Sequence, residues 1–157
     1  MMIKLVRVDH RLLHGQVAFS WTKYLGTDCI LIANDEVARD ELRMSALRLS
    51  KPAGIKLVIK TIDDSAQALL SGITDKYSLM ILLESIEDVR RLTEKVTAIR
   101  TVNLGGTKSA EGRRQISKAL FVSDDDCVNL KAMIEKGIEF NVQMIPNEVS
   151  QNITNLI

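Results

Sequence analysis

The chain contains only two histidines, His10 and His14, and they stand four residues apart near its first residue. Asp9 and Arg11 flank the first of them, and Gly15 follows the second. A neutral imidazole nitrogen is a competent nucleophile near neutral pH, and an arginine can hold phosphate oxygens with paired hydrogen bonds. The pattern predicts phosphoryl transfer to an imidazole, with Asp9 orienting either a ring or the arginine.

Two other interpretations of this histidine cluster remain open from composition and spacing alone. His10 and His14 have the i, i+4 spacing that can share a metal ion, but Asp9 is the only nearby third ligand, so we expect no metal. The same residues could instead be solvated loop side chains that cap the first helix. Spacing by itself does not decide between this structural role and a functional one.

A second polar segment contains Gly105, Gly106 and Lys108. It superficially resembles a nucleotide phosphate loop, but a threonine separates the glycines from the lysine, so we exclude ATP binding. A Gly-Gly turn after a parallel strand can present its N–H groups as an anion-binding wall, and a plain tight turn is the alternative. Lys108, Arg113 and Arg114 either help to receive a phosphorylated partner or form a solvated charged face.

The elements that position these residues follow from apolar periodicity. Short apolar runs predict strands at Ile3–Val8, Asp28–Ala33, Ile55–Ile59, Leu79–Leu83, Ile99–Leu104, Ala119–Val122 and Ile138–Ile145. Helical spacing of apolar residues predicts helices at Val17–Tyr24, Val37–Leu49, Asp63–Leu70, Ile86–Val96 and Asp124–Lys136.

This alternation of strands and helices predicts one α/β domain over residues 1–157. Its core is an open, mainly parallel sheet of about six or seven strands with helices on both faces, because a parallel return needs a long connection. Residues from about 147 to 157 are expected to form a polar tail. Ligands of such sheets bind outside the carboxyl ends of the strands, where the loop from Asp9 to Gly15 lies.

The composition excludes several classes of protein. With 157 residues, of which 46% are hydrophobic and 26% charged, the chain can bury a sizeable core and is not mainly disordered. A formal net charge of +1 provides no global field for nucleic acid or an anionic membrane. The apolar runs are too short to cross a bilayer, and no signal peptide opens the chain, so we expect a cytoplasmic protein. Cys29 and Cys127 are expected to be reduced, structural thiols.

Other conspicuous side chains have structural interpretations. Asn34, Asp35 and Glu36 end the second predicted strand, and Asp35 is expected to cap the helix that follows. Phe19 and Trp21 cannot both face the core from the first helix. We expect Trp21 to be buried, which leaves an exposed aromatic residue for a dimer or partner surface.

The motif around the histidines, from Arg7 to Val17 and continued by Ser20-Trp21, resembles the signature of a known family. The family is the IIB component of the mannose/fructose/sorbose family of the bacterial phosphoenolpyruvate-dependent sugar phosphotransferase system. The resemblance covers essentially the whole chain, and its first motif is specific. Further segments match in order and spacing: Asn34-Asp35-Glu36-Val37, Asn103-Leu104-Gly105-Gly106, Arg114-Gln115-Ile116-Ser117-Lys118-Ala119 and Val142-Gln143-Met144-Ile145-Pro146.

The resemblance implies roles for the residues of the first motif. His14 is then the phosphorylated nucleophile, Arg11 stabilises the phosphoryl group, and Asp9 belongs to the same catalytic motif. His10 stands where the family often has aspartate, so its expected contribution is to tune the charge of the loop or to assist at the site.

Five further residues are expected to contact phosphate or a partner protein. Gly15 has no side chain and lets a phosphoryl donor approach the imidazole, and Gln16 begins a helix whose free N–H groups attract anions. Gly105, Gly106 and Lys108 are expected to form a second wall of the same site.

The resemblance also implies partners. A phosphohistidine on a IIA component donates the phosphoryl group, and a sugar entering through the membrane components IIC and IID receives it, with no cofactor. A homodimer associated peripherally with the permease complex is expected. A phosphorylation-dependent regulatory module or a sugar-phosphate-binding module of the same fold is the alternative, and the identity of the sugar does not follow from the sequence.

Overall fold

The computed structural model describes residues 2–157. The strands are β1 (Ile3–Asp9), β2 (Cys29–Ala33), β3 (Lys56–Lys60), β4 (Leu79–Leu83), β5 (Thr101–Gly106), β6 (Arg114–Ser117), β7 (Leu120–Val122), β8 (Glu139–Val142) and β9 (Gln151–Asn152). The α-helices are α1 (Gly15–Leu25), α2 (Glu41–Ser50), α3 (Ile62–Ser71), α4 (Ile86–Lys95) and α5 (Asp124–Glu135). Short 3₁₀ helices occupy Val37–Arg39 and Ile153–Asn155.

Seven strands form one sheet in the order β3-β2-β4-β1-β5-β8-β9. Every neighbouring pair is parallel except β8 and β9, which are antiparallel. Strand β1 is therefore central, and its helix α1 leads towards β2, whereas the chain after β5 leads to β8 on the other side. Connections that diverge from two neighbouring strands open a crevice at their carboxyl ends, so β1 and β5 define the expected binding edge.

Helices cover both faces of the sheet, as predicted. One apolar cluster joins α3, α4 and α5 to the sheet face that carries Val6 and Val8 of β1. A second cluster on the opposite face contains Trp21 of α1 and the fully buried Ile30 and Ile32 of β2. Side chains of a strand alternate between faces, so the same β1 supplies both cores and holds the segment after Asp9 rigidly. The predicted α/β architecture is confirmed.

The single helix predicted at Val37–Leu49 is divided in two. Asp40 adopts extended backbone, with φ of −121° and ψ of 97°, and its side chain accepts a hydrogen bond from the N–H of Arg43 at 3.1 Å. This N-cap ends the 3₁₀ turn and starts α2. The apolar spacing was also misleading, because Leu42 and Leu49 are 82% and 89% exposed.

The prediction of a polar tail after residue 146 is wrong for residues 151–153. Gln151 and Asn152 pair with β8, and Ile153 is fully buried in the larger apolar cluster. A single apolar residue among polar neighbours gives no periodic signal, although it can anchor an edge strand. The last predicted strand is correspondingly shorter, ending at Val142.

A small antiparallel hairpin stands apart from the main sheet. Strand β6 was not predicted, and it pairs with β7. The prediction gave β7 its correct position in the chain but included it in the main sheet, to which it does not belong. The hairpin is fixed to the end of β5 by Thr107, whose hydroxyl donates to the carbonyl of Phe121 at 2.6 Å.

Cys29 and Cys127 are both buried and free, as expected of structural thiols. None of the helices described between residues 2 and 157 has the length and apolar character needed to cross a membrane.

Candidate functional site

The loop between β1 and α1 is anchored by two buried leucines. Leu12 has a φ of 58°, which is rare for a residue with a side chain, and its N–H donates to the carbonyl of Asp9 at 2.8 Å. Leu12 and Leu13 both belong to the apolar cluster beneath α1. Because this packing directs the leucines inward, Arg11 and His14 remain exposed on the outer side of the loop.

His14 is the N-cap residue of α1. Its backbone is extended, and its side chain makes no capping hydrogen bond, so the exposed ring is available for chemistry. The carbonyl of His14 accepts from the N–H of Ala18 at 2.9 Å, whereas the first N–H groups of the helix have no intrahelical acceptor. No acidic residue lies in this first turn. A positive helix end therefore adjoins the ring, as anion binding requires.

Arg11 lies between Asp9 and His14. Asp9 Oδ1 accepts from the backbone N of Arg11 at 3.0 Å and from its Nε at 3.4 Å, so it holds both the backbone and the guanidinium of this arginine. Its Nη1 lies 3.5 Å from His14 Nε2. The three residues predicted to be catalytic are thus brought together, and a guanidinium stands beside the imidazole.

Asp9 is in turn held by a buried arginine. Arg7 is 2% exposed and Asp9 is 1% exposed, and Arg7 Nη2 donates to Asp9 Oδ2 at 3.4 Å. Arg7 Nη1 also donates to Asn103 Oδ1 at 2.6 Å and to the carbonyl of Gln143 at 3.0 Å, and its Cζ lies 5.5 Å from the ring centroid of Trp21. Burial lowers the pKa of the Arg7 guanidinium, and the Asp9 carboxylate opposes that shift. A buried charge with several partners makes a rigid base for the site.

The two glycines predicted to form a turn or an anion-binding wall lie within a strand. Gly105 and Gly106 end strand β5, because the parallel pairing with β1 extends to Asp9 and Gly106. The turn interpretation is therefore wrong. A Cβ at Gly105 would overlap the guanidinium of Arg7, so this glycine makes room for the buried arginine. The carbonyl of Gly106 accepts from the N–H of His10 at 3.1 Å.

His10 and Lys108 line a different cavity from the one that borders the first turn of α1. His10 follows Asp9 directly, and its Nδ1 is 4.0 Å from Asp9 Oδ1. That nitrogen is buried and has no hydrogen-bond partner. His10 and Lys108 line one cavity, whereas Gly15 and Gln16 line another on the α1 side. The structure therefore separates these two groups of predicted site residues.

Sequence interpretation missed the residues that support the site from below. Arg7, Asn103 and Gln143 were recognised only as parts of matching motifs. One signal was present for Arg7, since a charged residue flanked by valines inside an apolar strand needs a buried partner. In residues 2–157, no group of three or more histidine, cysteine, aspartate or glutamate side chains is placed to hold a metal ion.

Comparison with known proteins identifies the family of this chain. The model of the PTS system sorbose subfamily IIB component matches residues 3–157. The chain belongs to this family. It is 29% identical over 157 residues to the PTS system fructose-specific EIIB component of Bacillus subtilis, covering 100% of this chain and 96% of that protein. It is 34% identical over 160 residues to the PTS system mannose-specific EIIAB component of Escherichia coli K12, covering 100% of this chain and 49% of that one.

Solved structures of IIB components share the fold. The IIBSor domain of the sorbose permease from Klebsiella pneumoniae superposes with a TM-score of 0.93 and 28% identity, covering 99% of this chain and 95% of that one. The family resemblance read from the sequence is therefore confirmed. The chain is a IIB component of the sugar phosphotransferase system, and IIB components are phosphotransferases.

Proposed function

We propose that this IIB chain carries a phosphoryl group on His14 between a phosphohistidine of a IIA component and a sugar. A nitrogen of the His14 ring attacks phosphorus, and the bond from phosphorus to the donor imidazole breaks as the new bond forms. A sugar hydroxyl later attacks the same phosphorus. The departing His14 ring then takes up a proton in exchange for the one that the hydroxyl loses.

The observation that carries this proposal is the arrangement of Asp9, Arg11 and His14 at the first turn of α1. A loose phosphoryl-transfer transition state needs alignment and fixed positive potential on the equatorial oxygens. Arg11 Nη1, 3.5 Å from His14 Nε2, and the free N–H groups of α1 supply that potential. Asp9 positions Arg11, since it accepts from both the backbone and Nε of that residue.

The site is also open enough to be charged and discharged in turn. Apart from its chain neighbours and the backbone of α1, no protein atom lies within 4 Å of where a Cβ of Gly15 would be, so other parts of the fold leave the space beside this glycine open. A groove of about 450 Å³ borders the first turn of α1 and is lined by Gly15, Gln16, Phe19, Ser50 and Pro52. The exposed Phe19 gives a partner an apolar contact beside the reacting residue.

The proposed partners are a IIA donor and the membrane components IIC and IID, and they place this chain in the cytoplasm beside the permease. A homodimer belongs to the same proposal, and the exposed Leu42 and Leu49 of α2 offer it an apolar surface. Sedimentation velocity over a range of concentrations measures the dimer directly. Leu49→Glu is expected to shift the distribution towards monomer, whereas Lys51→Gln nearby, which lowers the net charge by the same single unit, is the charge-matched control.

Intact-mass analysis tests the phosphocarrier role. Wild-type, His14→Ala and His10→Ala proteins are incubated with phosphoenolpyruvate, the general phosphotransferase proteins and the cognate IIA, and then quenched at neutral and acid pH. We expect one acid-labile phosphoryl group on wild type and His10→Ala, and none on His14→Ala. His10 is the matched control because it is the other histidine of the chain.

The same experiment can contradict the proposal in two ways. Phosphorylation that persists in His14→Ala would place the carrier residue elsewhere. An uncharged wild-type chain beside a fully phosphorylated IIA would exclude the carrier role and favour a binding module.

A further inference from the structure

A second cavity opens on the side of the histidine loop that faces α4 and the hairpin. It has a volume of about 400 Å³, which falls within the range of small-molecule sites. Its walls come from the ends of three neighbouring strands: His10 after β1, Glu84 after β4, and Lys108 after β5. His14 is not among its lining residues. We call this space the His10 cavity.

The His10 cavity has unpartnered positive charge. Arg43, Lys108 and Arg113 all line it. Over residues 2–157, the guanidinium of Arg43 and the ammonium of Lys108 have no acceptor within hydrogen-bond distance, and Arg113 uses only Nη1, which donates to the carbonyl of Lys108 at 3.0 Å. Cations that converge on a cavity without carboxylate partners of their own are suited to a phosphate group.

Two carboxylates line the same cavity, and each has one oxygen already committed. Glu84 Oε2 accepts from Asn34 Nδ2 at 2.8 Å, and Asp126 Oδ2 accepts from the backbone N of Ser123 at 3.0 Å. Within the described chain the second oxygen of each carboxylate has no hydrogen-bond donor. A carboxylate oxygen accepts hydrogen bonds from hydroxyl groups but repels phosphate. A ligand that suits this cavity therefore carries a phosphate for the cations and hydroxyl groups for the two carboxylates.

His10 completes the lining with a buried donor or acceptor that nothing satisfies. Its Nδ1 has no hydrogen-bond partner, although the rest of the ring is partly exposed to the cavity. Unsatisfied buried polar atoms cost free energy. If the imidazole rotated so that Nδ1 formed a hydrogen bond with a bound hydroxyl or phosphate oxygen, that cost would be removed. The Asp9 carboxylate 4.0 Å away also contacts Arg11, so this ring adjoins the support of the phosphoryl site.

We propose that the His10 cavity binds a small phosphomonoester that carries several hydroxyl groups, at a site separate from His14. Arg43, Lys108 and Arg113 hold the phosphate, and Glu84 and Asp126 accept hydrogen bonds from the hydroxyl groups. This proposal does not rest on phosphoryl transfer to His14, because the cavity and its charges exist whether or not that histidine is phosphorylated.

Binding of defined probes to the isolated chain tests the proposal. Mannose 6-phosphate, glucose 6-phosphate and fructose 1-phosphate are titrated against the ¹⁵N-labelled protein, with inorganic phosphate and free glucose as comparison ligands. At least one sugar phosphate is expected to bind saturably and to shift the resonances of His10 and Thr107. It should bind at least tenfold more tightly than inorganic phosphate, and free glucose should not bind.

Variants locate the binding site. Arg43→Gln and Lys108→Gln are each expected to weaken the sugar phosphate at least tenfold, whereas the exposed controls Arg48→Gln and Lys118→Gln leave it unchanged. His14→Ala should bind as wild type does. Failure of all three sugar phosphates to bind, affinity unchanged in Arg43→Gln and Lys108→Gln, or loss of binding in His14→Ala would each overturn the proposal, as would inorganic phosphate binding equally well.

Discussion

At the scale of single residues, Asp9 is the centre of the site. One of its oxygens accepts from buried Arg7, and the other accepts from the backbone N and Nε of exposed Arg11. A rigid inner arginine thus orients, through one carboxylate, an outer arginine that stands beside His14. Chemistry that needs a fixed positive charge gains from this arrangement because the guanidinium does not have to be ordered during each reaction.

Arg11→Lys tests whether the guanidinium fork matters beyond its charge. Lysine keeps one positive charge but cannot donate from Nε to Asp9 while reaching the ring of His14. We expect phosphorylation of His14 to be about 100-fold slower. The melting temperature should be unchanged, because Arg11 lies at the surface. Rapid-quench measurement of phosphoryl transfer from IIA gives the rate. Arg48→Lys on α2 serves as control, and an equal loss in both variants would show that the site does not use this geometry.

At the scale of the elements, strands β1 and β5 fit together only because β5 ends in glycines. The guanidinium of Arg7 occupies the space that a Cβ at Gly105 would need. The pairing of β1 with β5, the burial of Arg7 and the position of Asp9 therefore depend on one another.

Gly105→Ala is expected to displace Arg7 and destabilise the protein by about 1–3 kcal/mol. Urea unfolding followed by circular dichroism measures the change. Gly15→Ala is the matched substitution, because a Cβ there meets no atom within 4 Å beyond its chain neighbours and the backbone of α1, and stability should be retained. If Gly105→Ala were as stable as wild type, the stability of the fold would not depend on the buried position of Arg7, and the prediction would be contradicted.

The start of α3 gives the fold a pH dependence. Asp35 Oδ1 accepts from the backbone N of Ile62 at 2.9 Å, and Oδ2 lies 2.9 Å from Arg91 Nη2. The hydrogen bond from Ile62 is the main cause that lowers the pKa of Asp35, and Arg91 adds to it. Asp35 was expected to cap the helix that directly follows it. It instead accepts a hydrogen bond from the backbone N of Ile62, the first residue of α3.

Because the folded protein lowers this pKa, the ionised carboxylate of Asp35 stabilises the fold at pH above the ordinary aspartate range. That contribution is lost as the pH falls through the lowered pKa. Asp35→Asn should be less stable near neutral pH, and its stability should fall less on acidification. Urea midpoints measured between neutral and acid pH provide the test, with exposed Glu111→Gln as control. Parallel curves for wild type and Asp35→Asn would contradict the assignment.

At the scale of the whole molecule, the segment after β8 completes the sheet and one of its cores. Ile153 is fully buried beside β8, whereas Val149, four residues earlier, is 87% exposed. Ile153→Ala is expected to cost about 2–5 kcal/mol, and Val149→Ala very little. Denaturant unfolding of both variants distinguishes an integral edge of the fold, as found here, from a dispensable tail, for which both changes would be neutral.

The alternation of strands and helices, their burial on two faces and the location of the candidate site after the first strand could all be predicted from the sequence. These features depend on local periodicity and on the rule that parallel strands end at one edge. The residues around His14 were identifiable for a related reason, since they are close together in the chain and their chemistry is unusual.

Only the tertiary structure decided which of these residues lie together. His10 and His14 are near in sequence, but His10 lines a cavity with Lys108, whereas the ring of His14 lies beside Arg11. Arg7 and Asn103 are 96 residues apart and share a hydrogen bond. Local patterns show which side chains are apolar, charged or nucleophilic. Which of them meet is set by long-range pairing and packing, because those energies depend on neighbours that the chain brings together only when it folds.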